Sequence, residues 1–167
     1  MNESFAAIGL VNPKSPTNVG GVLRAAGCYD AQAVYFTGNR YARAAKYHTD
    51  TRNIASNIPI EHVDDFITLK APGRALVCVE LVEGAIPLPQ FVHPDDALYI
   101  FGPEDGSLPQ EIVDAADAVV YVPTTGCMNL AATVNVLLYD RMAKRSTGFD
   151  ASQILASRDT NNRLTVG

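Results

Sequence analysis

The chain has 167 residues, of which 47% are hydrophobic and 19% charged. That length suits one domain with a sizeable core, and that composition excludes a disordered or fibrous chain. The net charge of −5 speaks against a uniformly basic nucleic-acid binder.

The apolar run FAAIGLV (5–11), closed by the turn signal Asn12-Pro13, predicts a buried strand. In the next segment, Val19, Val22, Leu23 and Ala26 recur at i, i+3, i+4 and i+7, which is one helical face, and Asn18 stands where a cap would be. AVYFTG (33–38) predicts a second strand, and the polar, basic stretch 39–57 a surface excursion. Residues 63–69 predict a short helix; 74–81 and 97–102 predict the third and fourth strands. Ser107 with Gln110 three places on has capping-box spacing and opens a predicted helix over 107–116. Residues 118–123 predict a fifth strand stopped by Pro123. Residues 130–142 predict a last helix, apolar almost all round and therefore buried on more than one side. After Ser146 the chain turns polar and predicts a loosely held tail, so the expected division is a domain over 1–147 and a tail over 148–167.

Apolar strands alternating with helices predict an α/β fold with a mostly parallel sheet covered on both faces. Ligands in such sheets bind beyond the carboxyl ends of the strands. Attention therefore falls on the loops after the third, fourth and fifth predicted strands: ELVEG, GPEDGSLP and PTTGCMN. Familiar nucleotide and hydrolase motifs are missing, with no G-x-G-x-x-G, no G-x-x-x-x-G-K-[ST] and no G-x-S-x-G. Cys28, Cys78 and Cys127 and the three histidines are scattered, without metal-ligand spacing, which predicts reduced thiols, no metal and a cytoplasmic address. The N-terminus lacks a basic signal region and no long apolar run occurs, so neither secretion nor a membrane is expected. Charge is uneven: residues 1–52 sum to +3, 53–117 to −10 and 118–167 to +2. Folding that joined the two basic ends would make one face attractive to a polyanion; otherwise the charges are simply mixed. Arg40, Arg43, Lys46 and Arg52, interleaved with Tyr41 and Tyr47, would then grip an RNA backbone, or else form a solvated basic loop.

Three polar, glycine-bearing segments at strand ends carry a resemblance: NVGGVLR with Asn18, Gly20 and Arg24; YIFGPEDGSLP with Gly102 and Glu104; and VPTTGCMNLAATVNVLLYD with Asn129 opening the last helix. In order and spacing they resemble the three signature motifs of the SPOUT methyltransferases, in the TrmH/SpoU branch of RNA 2′-O-ribose methyltransferases. In showing no added RNA-binding domain the sequence resembles the minimal, TrmL-like members. The resemblance implies a deep trefoil knot in the C-terminal third, a homodimer built on the last helix, S-adenosylmethionine as cofactor and RNA, above all tRNA, as substrate.

The resemblance also implies site residues. Arg24 would bind the target phosphate or stabilise the developing alkoxide, since an arginine is a poor literal base. Glu104 would orient Arg24 by a charge-assisted hydrogen bond. Asn18 and Asn129 would fix loops and acceptor geometry, although each could equally be a helix cap. Glu80, Gly102, Val122, Met128 and Leu130 would line the cofactor pocket, with a plain core role as the rival for the apolar three. Two departures stand out: Cys127 replaces the first serine of the third motif, and Ala131 the second. Cys127 is either a weakened site group or a small filler. These departures leave open a protein that binds cofactor or RNA with weak or no methyl transfer. A different nucleotide-using α/β enzyme is a third reading.

Overall fold

A computed structural model describes residues 4–46, 57–146 and 148–167. The elements run β1 (Phe5–Leu10), α1 (Pro16–Cys28), β2 (Ala33–Phe36), α2 (Arg40–Ala45), β3 (Ile60–His62) and a 3-10 turn at Phe66–Leu69. They continue as β4 (Arg74–Val79), β5 (Ile86–Pro87), a 3-10 turn at Leu88–Gln90 and β6 (Asp96–Phe101). The chain ends with α3 (Gln110–Ala115), β7 (Ala118–Tyr121), α4 (Leu130–Arg145) and α5 (Ala151–Ser157). The strands form one seven-stranded sheet in the order β3-β2-β1-β6-β4-β7-β5. Every pairing is parallel; Ala7 of β1 lies between Ala33 of β2 and Leu98 of β6. All five predicted strands are present, and β3 and β5 are added at the sheet edges. Neither addition carries an apolar run: one is three residues with two polar, the other two residues with a proline. Edge strands gain their order from a neighbour already in place, so periodicity does not reveal them.

Two apolar cores lie on the two faces of the sheet. On one, Val19, Val22 and Leu23 of α1 and Val134, Leu137 and Leu138 of α4 pack over Leu10, Tyr99 and Val120. On the other, Phe66 and Leu108 cover Ala7, Leu76, Leu98 and Ile100. The helices differ from expectation at their ends. The N-cap of α1 is Ser15, whose Oγ accepts from Asn18 N at 3.3 Å, with Pro16 in the first turn. Proline is preorganised for that position and lacks only an amide that would go unused, so the helix starts two residues before Asn18. The capping box at Ser107 does not form: α3 starts at Gln110 behind Pro109, and the Gln110 side chain turns outward to Asp114. The predicted helix over 63–69 is one 3-10 turn, capped by Asp65 on Ile67 N at 2.9 Å. The tail holds α5, capped by Asp150, with all its residues exposed. Burial of α4 is one-sided: Val136 is 38% exposed and Tyr139 56%. No helix among the described residues is long and apolar enough to cross a membrane.

Among the described residues, the basic groups of α2 and α4 do not merge. Arg141 of α4 donates to Pro94 O, Asp95 O and Phe5 O, all at the amino ends of β6 and β1. Arg145 pairs with Asp95 there as well. Arg40 and Arg43 sit beyond the carboxyl end of β2. A six-residue strand spans about 20 Å, so the two basic groups occupy opposite ends of the sheet.

Candidate active site

A cavity of about 470 Å³ opens beyond the carboxyl ends of β4, β6 and β7. Its walls are Val79–Leu81 after β4, Phe101–Glu104 and Gly106 after β6, and Tyr121, Val122, Thr124 and Gly126–Asn129 after β7, with Leu130 and Thr133 from α4 and Asn18 from α1. These are the three loops singled out from the sequence. The location accords with the parallel sheet, in which the loops at the carboxyl ends of neighbouring strands β6, β4 and β7 share one edge.

The structure brings together Asn18, Glu80, Gly102, Glu104, Val122, Cys127, Met128, Asn129 and Leu130 around this one cavity. Glu104 is its electrostatic anchor. Its carboxylate accepts from Lys14 N at 3.0 Å, Ser15 N at 3.2 Å and Asn18 Nδ2 at 3.4 Å. Partial burial pushes its pKa up, but its own amide, those of Lys14 and Ser15 and the Asn18 side chain outweigh that, and the net direction is down. Glu104 is therefore charged, and it staples the second motif to the entry of α1. Within one chain it makes no hydrogen bond to Arg24. Arg24 lies six residues beyond Asn18, so helix geometry carries it about 120° round the axis and about 9 Å along it. It is exposed and is not among the cavity walls.

Glu80 is committed as well. It accepts from Leu81 N at 2.8 Å and Leu108 N at 3.2 Å, tying the loop after β4 to the loop after β6. Gly102 serves that tie: a Cβ there would stand 3.1 Å from the Glu80 carboxylate and 3.3 Å from Leu108 N. Asn129 caps α4 through Oδ1, which accepts from Ala132 N at 2.8 Å. Its Nδ2 has no partner among the described residues, so cap and site group are compatible in one side chain. Cys127 is exposed on the cavity wall. Cys78, beneath the site, is buried, and burial followed by the nearby Glu80 charge pushes its thiol up to about 12, so it stays protonated. Ala131 has a packing reason: a Cβ on Gly21 of α1 would lie 2.8 Å from its own Cβ, so α1 and α4 meet there on small residues.

Arg43 and Lys46 are exposed beside the carboxyl edge, while Arg52 and Tyr47 lie outside the described residues. Arg40 is engaged rather than free: its guanidinium bonds both Asp105 oxygens and Asn12 O. Tyr41 meets Phe36 edge-on at 5.1 Å, which anchors its ring to the fold. The sequence reading missed the Lys14 and Ser15 amides, which carry no side-chain signal, and Thr124 and Thr133 on the wall. Among the described residues no three His, Cys, Asp or Glu side chains converge as a metal-binding group.

The cavity walls include two carboxylates and no Lys, Arg or His. Val79, Leu81, Phe101, Val122, Met128 and Leu130 give the walls their apolar surface. Such a wall favours a ligand with an apolar or aromatic body and positive charge, and disfavours a polyphosphate.

Among solved structures, an rRNA methyltransferase from Sinorhizobium meliloti superposes with a TM-score of 0.72 at 23% identity, covering 87% of this chain and 58% of that one. The SpoU methyltransferase AviRb from Streptomyces viridochromogenes, in complex with AdoMet, gives a TM-score of 0.69 at 19% identity, covering 86% and 58%. A protein solved for insight into the 2-OH methylation of C/U34 on tRNA gives 0.69 at 18% identity, covering 84% and 91%. The chain thus spans less than two thirds of the first two of these proteins. No curated protein matches it. The profile of the SpoU rRNA Methylase family matches residues 6–139. That span contains all three motif loops and every wall of the cavity, and the chain belongs to the SpoU rRNA methylase family.

Proposed function

We propose that the protein is an S-adenosylmethionine-dependent RNA 2′-O-ribose methyltransferase acting on tRNA, as a cytoplasmic homodimer. The observation that carries this reading is the cavity at the carboxyl edge, with two carboxylates and no cationic side chain on its walls. Bound there, the cofactor would supply an electrophilic methyl group on a positively charged sulfur. The residues present fit it: Glu80 and Glu104 would offset positive charge, and Val122, Met128 and Leu130 would hold the adenosyl part. An NAD or ATP pocket would instead present cations or a glycine-rich phosphate cradle. The tRNA preference is supported by the relative concerned with C/U34, which is nearly the same length as this chain.

In the reaction, the ribose hydroxyl would take up the methyl group the cofactor supplies and release its proton to solvent. Asn18, held by Glu104, and Asn129, with free Nδ2 donors, orient the acceptor. Positioning of this kind supplies roughly 7–11 kcal/mol. Cys127 sits at the wall where a hydroxyl would donate more strongly. Arg24, exposed on α1 and off its own cavity, stabilises the developing alkoxide in the cavity of a second copy. The half-exposed stripe of Val136 and Tyr139 on α4 supports such a dimer. Arg43 and Lys46 hold RNA phosphates. Residues 1–147 carry the activity and 148–167 are an appendage. The C-terminal third is a trefoil knot, a reading supported by β7 entering between β4 and β5, whose connection is only residues 80–85.

The test is nucleoside mass spectrometry of tRNA from a strain lacking the protein, followed by restoration with purified protein and cofactor. One missing 2′-O-methylated nucleoside, restored in vitro, is expected. Cofactor binding with every RNA pool left unmethylated would establish the binding-protein reading instead.

A further inference from the structure

Arg40 is the first residue of α2, yet its side chain belongs to two other loops. Nε and Nη2 donate to Asn12 O, after β1, at 3.2 and 2.7 Å. Nη1 and Nη2 donate to the two Asp105 oxygens, after β6, at 2.8 and 3.0 Å. This is a bidentate fork closed on one side and a carbonyl clasp on the other, a geometry lysine cannot reproduce. The residue before Asp105, Glu104, holds the amides of Lys14 and Ser15 and the Asn18 side chain. Residues 12–15 are thus gripped at both ends, by Arg40 at Asn12 and by Glu104 at Lys14 and Ser15. Asp105 joins the two grips through a single peptide bond.

We propose that Arg40 is a positioning residue: through Asp105 and Asn12 it fixes Glu104 and the loop 12–15, and so sets the Asn18 amide at the acceptor side of the cavity. The role replaces the RNA-phosphate contact expected of Arg40 from its sequence context. It rests on the methyltransferase reading above. Exposed ion pairs contribute little to global stability, and the Arg40 and Asp105 side chains are 31% and 48% exposed. The effect therefore belongs to geometry at the site.

The experiment compares Arg40→Ala, Asp105→Asn and the double variant in the full chain. It measures kcat at saturating tRNA, tRNA affinity against salt, S-adenosylmethionine affinity, thermal midpoint and amide exchange across residues 12–18. The clamp predicts a kcat loss of about tenfold in both single variants, and no further loss in the double. Cofactor affinity and midpoint stay near wild type, and the Lys14 and Ser15 amides exchange faster. Arg40→Lys restores little. A phosphate contact predicts otherwise: Arg40→Ala would weaken tRNA binding and flatten the salt dependence by about one phosphate. Asp105→Asn, by freeing the guanidinium, would leave binding intact or tighten it. That divergence, or unchanged kcat in both single variants, overturns the clamp. A wild-type protein inactive on every RNA overturns the methyltransferase reading, and the exchange data then still decide whether Arg40 orders residues 12–18.

Discussion

Glu104 and Cys127 show how much chemistry rests on single atoms. Glu104 places one carboxylate against three N–H donors. Replacing it by glutamine leaves one acceptor oxygen and turns an amide toward those donors. Glu104→Gln is expected to cost about 1–2 kcal/mol in urea unfolding at pH 7. The pH dependence has a definite sign. A carboxyl held below its ordinary value in the fold contributes its full stabilisation above about pH 4.5 and loses it as pH falls through the lower folded value. The gap between wild type and Glu104→Gln should therefore close on acidification; a constant gap would show that the loss is steric. At Cys127 a hydroxyl is the stronger donor, so Cys127→Ser should raise kcat about fivefold, equivalent to one ordinary hydrogen bond of about 1 kcal/mol. A thiol merely filling space would give no change. Asn18 and Asn129 were legible in the sequence as motif residues, but Glu104's real partners were not. Two of its three donors are backbone amides, which every residue but proline possesses, so no residue type announces them.

At the scale of elements, α1 and α4 meet where Gly21 faces Ala131. Two helices can approach this closely only on small residues. Gly21→Ala should gain up to about 1 kcal/mol in helix propensity and lose about 1–3 kcal/mol to overpacking. A net fall in thermal midpoint is expected, recovered in part by adding Ala131→Gly; an unchanged midpoint would mean that the helices slide apart freely. The same contact accounts for the small residue at 131 without invoking decay of the third motif. The edges of elements were the least legible part of the sequence. Ser15 and Pro16 start α1, and Pro109 starts α3, although Asn18 and Ser107 carry equally good capping chemistry. Which of two capping residues is used depends on where the preceding strand delivers the chain.

For the molecule as a whole, a buried polar network closes the end of the sheet opposite the cavity. His93 contacts Tyr99 Oη and Asp140 Oδ2, each at 2.7 Å, and Arg141 donates to Tyr99 Oη at 2.9 Å. In the neutral imidazole that burial favours, His93 Nδ1 accepts the Tyr99 hydroxyl proton and Nε2–H donates to Asp140. Burial first, then the Arg141 and Lys144 charges, push the histidine's pKa down against the opposing pull of Asp140. The unfolded chain takes up that proton near pH 6.5 and the folded one only at lower pH. Stability should therefore be complete above about pH 6.5 and decline as pH falls below it, and His93→Gln should remove that part of the slope in urea titrations between pH 5 and 7. A slope unchanged by the substitution would place the titration elsewhere. Arg141 supports five acceptors around the amino ends of β1 and β6. Its replacement by methionine should strand these acceptors, at about 1–3 kcal/mol for each that stays buried and unpaired, and urea unfolding would read the loss; an unchanged midpoint would show that water replaces the guanidinium.

The sequence by itself determined the α/β class, the five apolar strands, the two principal helices and the three loops that wall the cavity. Those properties are local: apolar runs, helical periodicity and motif spacing are written along a few consecutive residues. Only the tertiary structure decided that Glu104 holds the entry of α1, that Arg40 grips Asp105 across 65 positions, and that the basic residues of α4 lie far from those of α2. Hydrogen bonds form between groups that the parallel crossovers deliver to the same end of the sheet. Strand order, which no short segment encodes, chooses among the charged partners the composition offers.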